Sequence, residues 1–406
     1  MSILTPEQIL LQRYRSVRQR TERLCLPLSI EDHVPQPITD VSPPKWHLGH
    51  TAWFFEHFVL VPHRPGYTVF HPRYGYLFNS YYDAVGARVA RAERGHLSRP
   101  TVLEVLTYRG HIDAAMTELL AQSLTSDVAA LVELGLQHEQ QHQELLVTDI
   151  KFILGVNPLT PAYDPQGLGP LDLTAEHDGT CPPLDEWIDV AGGTLEIGHG
   201  GRGFAFDNES PRHTTLVGPV QLRQALVTND EYLAFMADGG YERHELWHAE
   251  GWDWVRTQAH KAPLYWQPDG RGQWQHFTLA GLQPLEGTAP VSHVSCYEAF
   301  AFCQWAGWHL PTEMEWEAGA ARFAWGRRWE WTQSAYQPYP GFRRSADAVG
   351  VYNGKFMINQ QVLRGALFAT PPGHARLSYR NFFHAPLRWQ YTGIRPARNP
   401  MDGKST

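Results

Sequence analysis

Apolar positions recur at helical spacing through the first 155 residues and then lose that period. Four segments carry it. The first runs from Pro6 to Leu26, with Thr5 placed to cap it and Pro6 at the first helical position. The second opens at "SPPKWHLGHTAWFFEHFVL", with Ser42 as cap and Pro43 in the first turn. The third covers about 101–122, behind the cap-like Ser98 and Thr101, and the fourth runs from about Asp127 to Leu154. Four amphipathic helices of this length predict a four-helix bundle. Residues 61–100, between the second and third, are aromatic and arginine-rich. A connection that long in a compact domain points to a functional loop.

Residues 155–185 are rich in Pro and Gly without periodicity, and read as a linker. After Glu186 short strand-like pieces such as "TLEIG" alternate with turn residues, and only two helices are evident, near 228–238 and 295–306. No internal repeat appears. The pattern predicts an α+β chain with a helical domain at 1–155, a linker at 156–185 and an irregular α+β domain at 186–406. The length of 406 residues suits two domains, and 43% hydrophobic residues supply a large core.

Charge and cysteine narrow the function. With 34 Lys and Arg against 42 Asp and Glu, the net charge of −8 argues against nucleic acid as the main partner. Four cysteines without a C-x-x-C pair do not make a disulfide scaffold. Cys296 and Cys303, seven apart, read as small buried residues on one helix face. The charged N-terminal stretch lacks the apolar core of a signal peptide, and no run of 18 apolar residues occurs. A cytoplasmic protein with reduced thiols and no membrane partner is expected; the residues do not report oligomeric state.

The candidate chemistry lies in "HEQQHQE" at 138–144. It contains H-E-x-x-H, the helix pattern of zinc proteases, with two ligands one turn apart. His138 and His142 share a face at the spacing one ion needs. The bland alternative is a solvated polar stripe, because the stretch is polar all round. In "WHLGH", His47 and His50 are three apart and both can face inward; His50, followed by the apolar "TAWFF", is the more interior. Bundle metal sites are built from facing helices. A zincin takes its third ligand downstream, where the next 35 residues offer only His177 in the linker. A three-histidine site without a carboxylate leaves positions open for substrates and oxygen, but imidazole suits Zn, Cu, Fe and Ni alike.

"VSHVSCYEAFAFCQWAGWHLPTEMEWEAGA" at 291–320 resembles the sulfatase-modifying-factor, or formylglycine-generating-enzyme, fold, a C-type-lectin-like type. "WEWTQSAYQPYPGF" at 329–342 and the stretch 362–398 continue it. The resemblance implies an irregular domain held by Gly turns, buried Trp residues and an interior rich in Arg and Glu. No cysteine follows Cys303, so formylglycine chemistry is not expected.

A DinB-type bundle joined to this fold, from "KWHLGHTAWFFE" to "YTGIRPAR", resembles the ergothioneine-biosynthesis sulfoxide synthases, the EgtB family. The resemblance implies Fe(II) on His50, His138 and His142, and an O2-dependent C–S bond between hercynine and a thiol, giving a sulfoxide. Gln141 is then expected to help place hercynine, with Asn381 at its carboxylate or trimethylammonium end. Phe382 is the aromatic neighbour suited to a quaternary ammonium. Tyr81 and Tyr82 correspond to the adjacent tyrosines that, in one branch of the family, supply a proton or electron during the oxidation.

The γ-glutamylcysteine branch carries an Asp and an Arg shortly after its Asn. Here Asn381 is followed by Phe382, Phe383, His384, Ala385, Pro386 and Leu387, an apolar wall that cannot pair a zwitterion. Free cysteine is therefore the expected thiol, with Arg88, Arg91 and Arg94 as candidates for its carboxylate. The alternatives are γ-glutamylcysteine, a selenosugar in a selenoneine synthase, a non-catalytic metal-binding protein and a zinc protease.

Overall fold

The computed structural model describes residues 4–82, 85–176, 178–343 and 353–400, so His177 lies outside the described residues. The chain divides into two compact units. The first takes Met1–Leu171 together with two short returns of the chain, Leu279–Gly281 and Ala369–His374; the second takes the remainder.

The first unit is built on four long helices. Helix α1 (Pro6–Cys25) opens with a capping box in which Thr5 and Gln8 bond each other's backbone N–H. Helix α2 (Pro44–Phe54) runs on as a π-helical stretch, Phe55–Leu60, and a last turn, Val61–His63. Helices α3 (Val102–Leu120) and α4 (Ser126–Gly155) are capped by Thr101 and Thr125. The expected Ser42 cap of α2 is not made: Pro43 is the cap residue. Ser42 is held instead by α4, its N–H donating to Asp149 Oδ2 at 2.9 Å, and its hydroxyl accepts from Arg94 at 2.9 Å. The loop at 61–100 forms a short helix at Tyr74–Phe78 and a 3₁₀ stretch at Arg91–His96.

The polar run on α4 is not a solvated stripe. Gln137, His138, Glu139, Gln140, His142, Gln143 and Glu144 are all buried. Their partners come from distant residues. Glu139 is fully enclosed and accepts from Arg18 at 2.8 Å, Arg109 at 3.0 Å and Thr21 at 2.6 Å. Gln143 donates to Val17 O at 2.7 Å. The returning segment Ala369–His374 serves the same helix: Thr370 donates to the Glu144 carboxylate, Pro372 O accepts from Gln140 at 3.3 Å, and His374 meets Gln137 Oε1 at 2.8 Å. Two glycines permit the packing. A Cβ on Gly49 would fall inside the Phe78 ring, and one on Gly135 would lie 2.6 Å from the Phe55 ring.

The second unit holds twelve short strands, β1–β12 in chain order, in four small sheets among the described residues. The largest runs in the order β10 (Asn381–Phe383), β9 (Gln361–Gly365), β8 (Trp329–Ala335), β11 (Thr392–Gly393), with β11 parallel to β8. Helices form at the two expected places, Asn229–Ala237 and Cys296–Trp305, with Cys296 and Cys303 buried. The expectation of only two is corrected by Ala249–Gln258 and Glu313–Gly319, the second less than two turns long. Buried Trp316, Trp329 and Trp331 sit among paired charges. Arg395 grips Glu330 through two nitrogens at 2.6 and 2.8 Å, and Arg380 grips Glu313 at 2.8 and 2.9 Å. Such bidentate pairs satisfy both partners and fix their geometry where no apolar ladder does.

No helix among the described residues is long and apolar enough to cross a membrane.

Candidate metal centre

Helices α2 and α4 bring His50, His138 and His142 to one buried point, with one candidate ligand atom from each lying within 4.8 Å of the others. His50 is fully enclosed and His138 and His142 nearly so. His50 Nε2 lies 3.2 Å from His138 Nε2. Burial, followed by the neighbouring imidazoles, holds His50 and His142 well below the ordinary histidine range. Burial likewise brings His138 down to about 3. Neutral imidazoles are what a metal requires of histidine ligands.

The outer nitrogen of His50 is 2.6 Å from Phe78 O. A carbonyl only accepts, so Nδ1 carries the hydrogen and Nε2 is bare toward the cluster. The close seat of the Phe78 ring over Gly49 places that carbonyl. The His50 ring is stacked between Trp46, at 4.5 Å and 11°, and Trp53, at 5.7 Å and 21°. His138 lies against Phe54 at 4.7 Å. Glu139, the residue that would act as base in a zincin, is turned away and locked by Arg18 and Arg109. These two cations and its hydrogen bonds overcome the upward push of burial and hold its carboxyl at about 2.

The remaining sequence candidates divide between the units. Tyr82 is buried, its ring 4.9 Å from Phe58 and 5.7 Å from Trp53, the ring that stacks on His50. Tyr81 is half-buried and its hydroxyl accepts from Arg91 at 2.9 Å; Arg91 also donates to Asp40 O at 2.7 Å. Arg94 is buried, its guanidinium 3.4 Å above the Trp46 ring, and it has no ion-pair partner among the described residues. Burial pulls it down to about 9. Arg88 and Gln141 are half-buried. Asn381, Phe382 and Phe383 form β10 of the second unit. There the Phe382 ring stacks on Tyr336 at 4.1 Å, Phe383 packs edge-on to Trp389, and Asn381 Oδ1 accepts from Phe382 N at 2.9 Å.

One residue that the sequence did not single out, Asp149, meets His47 beside the three histidines. Asp149 sits two turns beyond His142 on α4 and meets His47 at 3.0 Å; His47 in turn meets His142 Nδ1 at 2.9 Å. The seven-residue spacing of His142 and Asp149 was the available signal.

Residues 13–146 match the DinB superfamily, and residues 174–328 match the Sulfatase-modifying factor enzyme 1-like domain. Along nearly the whole chain the sequence is similar to proteins named hercynine oxygenase. That of Mycolicibacterium smegmatis is 28% identical over 88% of this chain and 91% of its own length. That of Mycobacterium tuberculosis is 26% identical over the same shares. The formylglycine-generating enzyme of Streptomyces coelicolor is 31% identical over 36% of this chain and 49% of its own length.

Proposed function

We propose, on the premise that full-length similarity to hercynine oxygenases and the two domain matches in this order support the ergothioneine sulfoxide synthase family, that this chain is an iron-dependent member of it. The reaction joins hercynine to free cysteine with O2 and yields the sulfoxide. The observation that carries the proposal is the convergence of His50, His138 and His142 at one buried point of the bundle.

Those three imidazoles would hold the metal, and Fe(II) bound there would supply the O2 chemistry. The chain's own residues do the rest. The stacked Trp46 and Trp53 rings keep His50 from turning. The Tyr81 hydroxyl accepts from Arg91, which directs its own hydrogen elsewhere, and Tyr82 stands against the aromatic wall of the ligand helix. This pair is suited to give a proton to the reacting oxygen. Arg94 is the favoured partner for the thiol substrate's carboxylate. A buried cation with no carboxylate of its own is costly, and a substrate carboxylate relieves that cost. Arg91 is already engaged by Tyr81 and Asp40. Free cysteine is favoured because residues 381–387, "NFFHAPL", contain no carboxylate or guanidinium to pair a γ-glutamyl zwitterion. Gln141 and Asn381 are the expected contacts to hercynine.

The zinc protease alternative is disfavoured by Glu139, whose carboxylate is committed to Arg18 and Arg109. The test is reconstitution with Fe(II) without oxygen, addition of hercynine with cysteine or γ-glutamylcysteine, admission of O2, and product analysis by mass. Hercynyl-cysteine sulfoxide from cysteine alone is expected. Product only from γ-glutamylcysteine keeps the family and rejects the thiol assignment. No product and no oxygen uptake with either thiol rejects the proposal.

A further inference from the structure

We propose that Asp149 and His47 form a buried positioning relay that fixes His142 in its metal-binding tautomer and enriches its donor nitrogen. The inference rests on the three-histidine metal site proposed above. His142 Nδ1 lies 2.9 Å from His47 Nδ1, and His47 Nε2 lies 3.0 Å from Asp149 Oδ2. All three side chains are buried. Asp149 Oδ2 also accepts from Ser42 N at 2.9 Å, which holds the carboxylate against the start of α2.

The partners decide where the hydrogens lie. The Asp149 carboxylate accepts, so His47 Nε2 carries hydrogen. A neutral His47 is then bare at Nδ1 and accepts from His142 Nδ1–H. His142 is left with a bare Nε2, the nitrogen required toward the cluster. His47 is not itself a ligand, because both its nitrogens are engaged, one by His142 and one by Asp149. His50 reaches the same tautomer through the peptide carbonyl of Phe78. The two ligands therefore differ in kind. The support of His50 is a neutral dipole, whereas that of His142 ends in an anion relayed through a second imidazole. The spacing follows from the helices. His47 and His50 are three apart on α2, and His142 and Asp149 are seven apart on α4, so each helix carries one relay residue on the same side as a ligand.

The test uses the metal-free full-length chain titrated with Co(II) under nitrogen against a competing chelator, with the visible Co(II) bands recorded. Asp149→Ala and His47→Leu are expected to weaken Co(II) by ~10–100-fold and to shift the bands, in metal-free chains that still unfold in one cooperative thermal transition. His47→Gln, whose amide oxygen accepts the same hydrogen bond, is expected to recover most of that loss. Asp149→Asn keeps the size and an acceptor but not the charge; its expected loss is several-fold, and it serves if Asp149→Ala fails to fold. Parent-like affinity and bands in Asp149→Asn and His47→Leu, with His50→Ala binding poorly, overturn the relay alone. Equal losses in His47→Leu and His47→Gln also overturn it, since a space-filling role would not tell them apart. Binding by the parent no tighter than by His50→Ala overturns the relay and the metal site together.

Discussion

Two adjacent tyrosines meet unlike surroundings, and their substitutions should differ accordingly. Tyr81 is held through its hydroxyl by Arg91, and Tyr82 through its ring by Trp53, Phe54 and Phe58. In the proposed reaction, removing one hydroxyl would leave the thiol and O2 still able to meet, so Tyr81→Phe or Tyr82→Phe is expected to divert turnover from the sulfoxide to cysteine sulfinate. Mass analysis of both products reads this out; an unchanged ratio in both single variants and the double variant removes the tyrosines from the chemistry. Arg94 permits a sharper division. A charge-assisted bond to a carboxylate is worth about 1.5–3 kcal/mol, or roughly 10–100-fold. Arg94→Gln should therefore raise KM for cysteine by roughly that factor and leave KM for hercynine unchanged. Equal changes for both substrates would mean that Arg94 only supports Trp46, over which it lies.

At the scale of elements, α4 depends on a charge that faces away from the chemistry. Glu139 joins α4 to Arg18 of α1 and Arg109 of α3. Removing one partner from such a cluster leaves buried charge and costs about 3–5 kcal/mol. Glu139→Gln should show that loss in chemical denaturation of the metal-free protein at neutral pH. The folded carboxyl is held at about 2, below its unfolded value of ~4.3. Its stabilisation is thus complete above the unfolded value and is lost as pH falls from about 5 toward 2. The parent should lose stability across that window, and Glu139→Gln should lose less; parallel slopes would reject the linkage.

This cluster also marks where the sequence stops being legible. The i, i+4 spacing makes it plain that His138 and His142 face one way, and the capping residues Thr5 and Thr101 locate the starts of α1 and α3. The burial of the same stretch is not legible, because residues that neutralise it lie far away: Arg18, Thr21 and Arg109 on one side, Thr370, Pro372 and His374 on the other. A polar run reads as solvated until its long-range partners are known. In the second unit Glu313–Gly319 is less than two turns long and so shows no helical period of its own.

At the scale of the molecule, the helical unit is not one continuous piece of chain. Its cover includes Leu279–Gly281 and Ala369–His374, which arrive after most of the second unit has been traversed. Thr370 and His374 reach Glu144 and Gln137 on the turns flanking the histidine pair. Thr370→Ala with His374→Ala is expected to cost about 1 kcal/mol per lost bond, seen as a lower denaturation midpoint, and to weaken Co(II) binding modestly. Full retention of both would make the segment a passive cover. Helix α4 is complete at Gly155, whereas His374 emerges from the ribosome roughly 220 residues later, ~10–40 s at ordinary rates of synthesis. During that interval the nascent chain carries its histidine pair without the Thr370–His374 clasp. If the three histidines hold a metal as proposed, its capture becomes a matter of timing as well as affinity: an ion acquired early would be held by an unfinished pocket, and one acquired after release would meet the finished one.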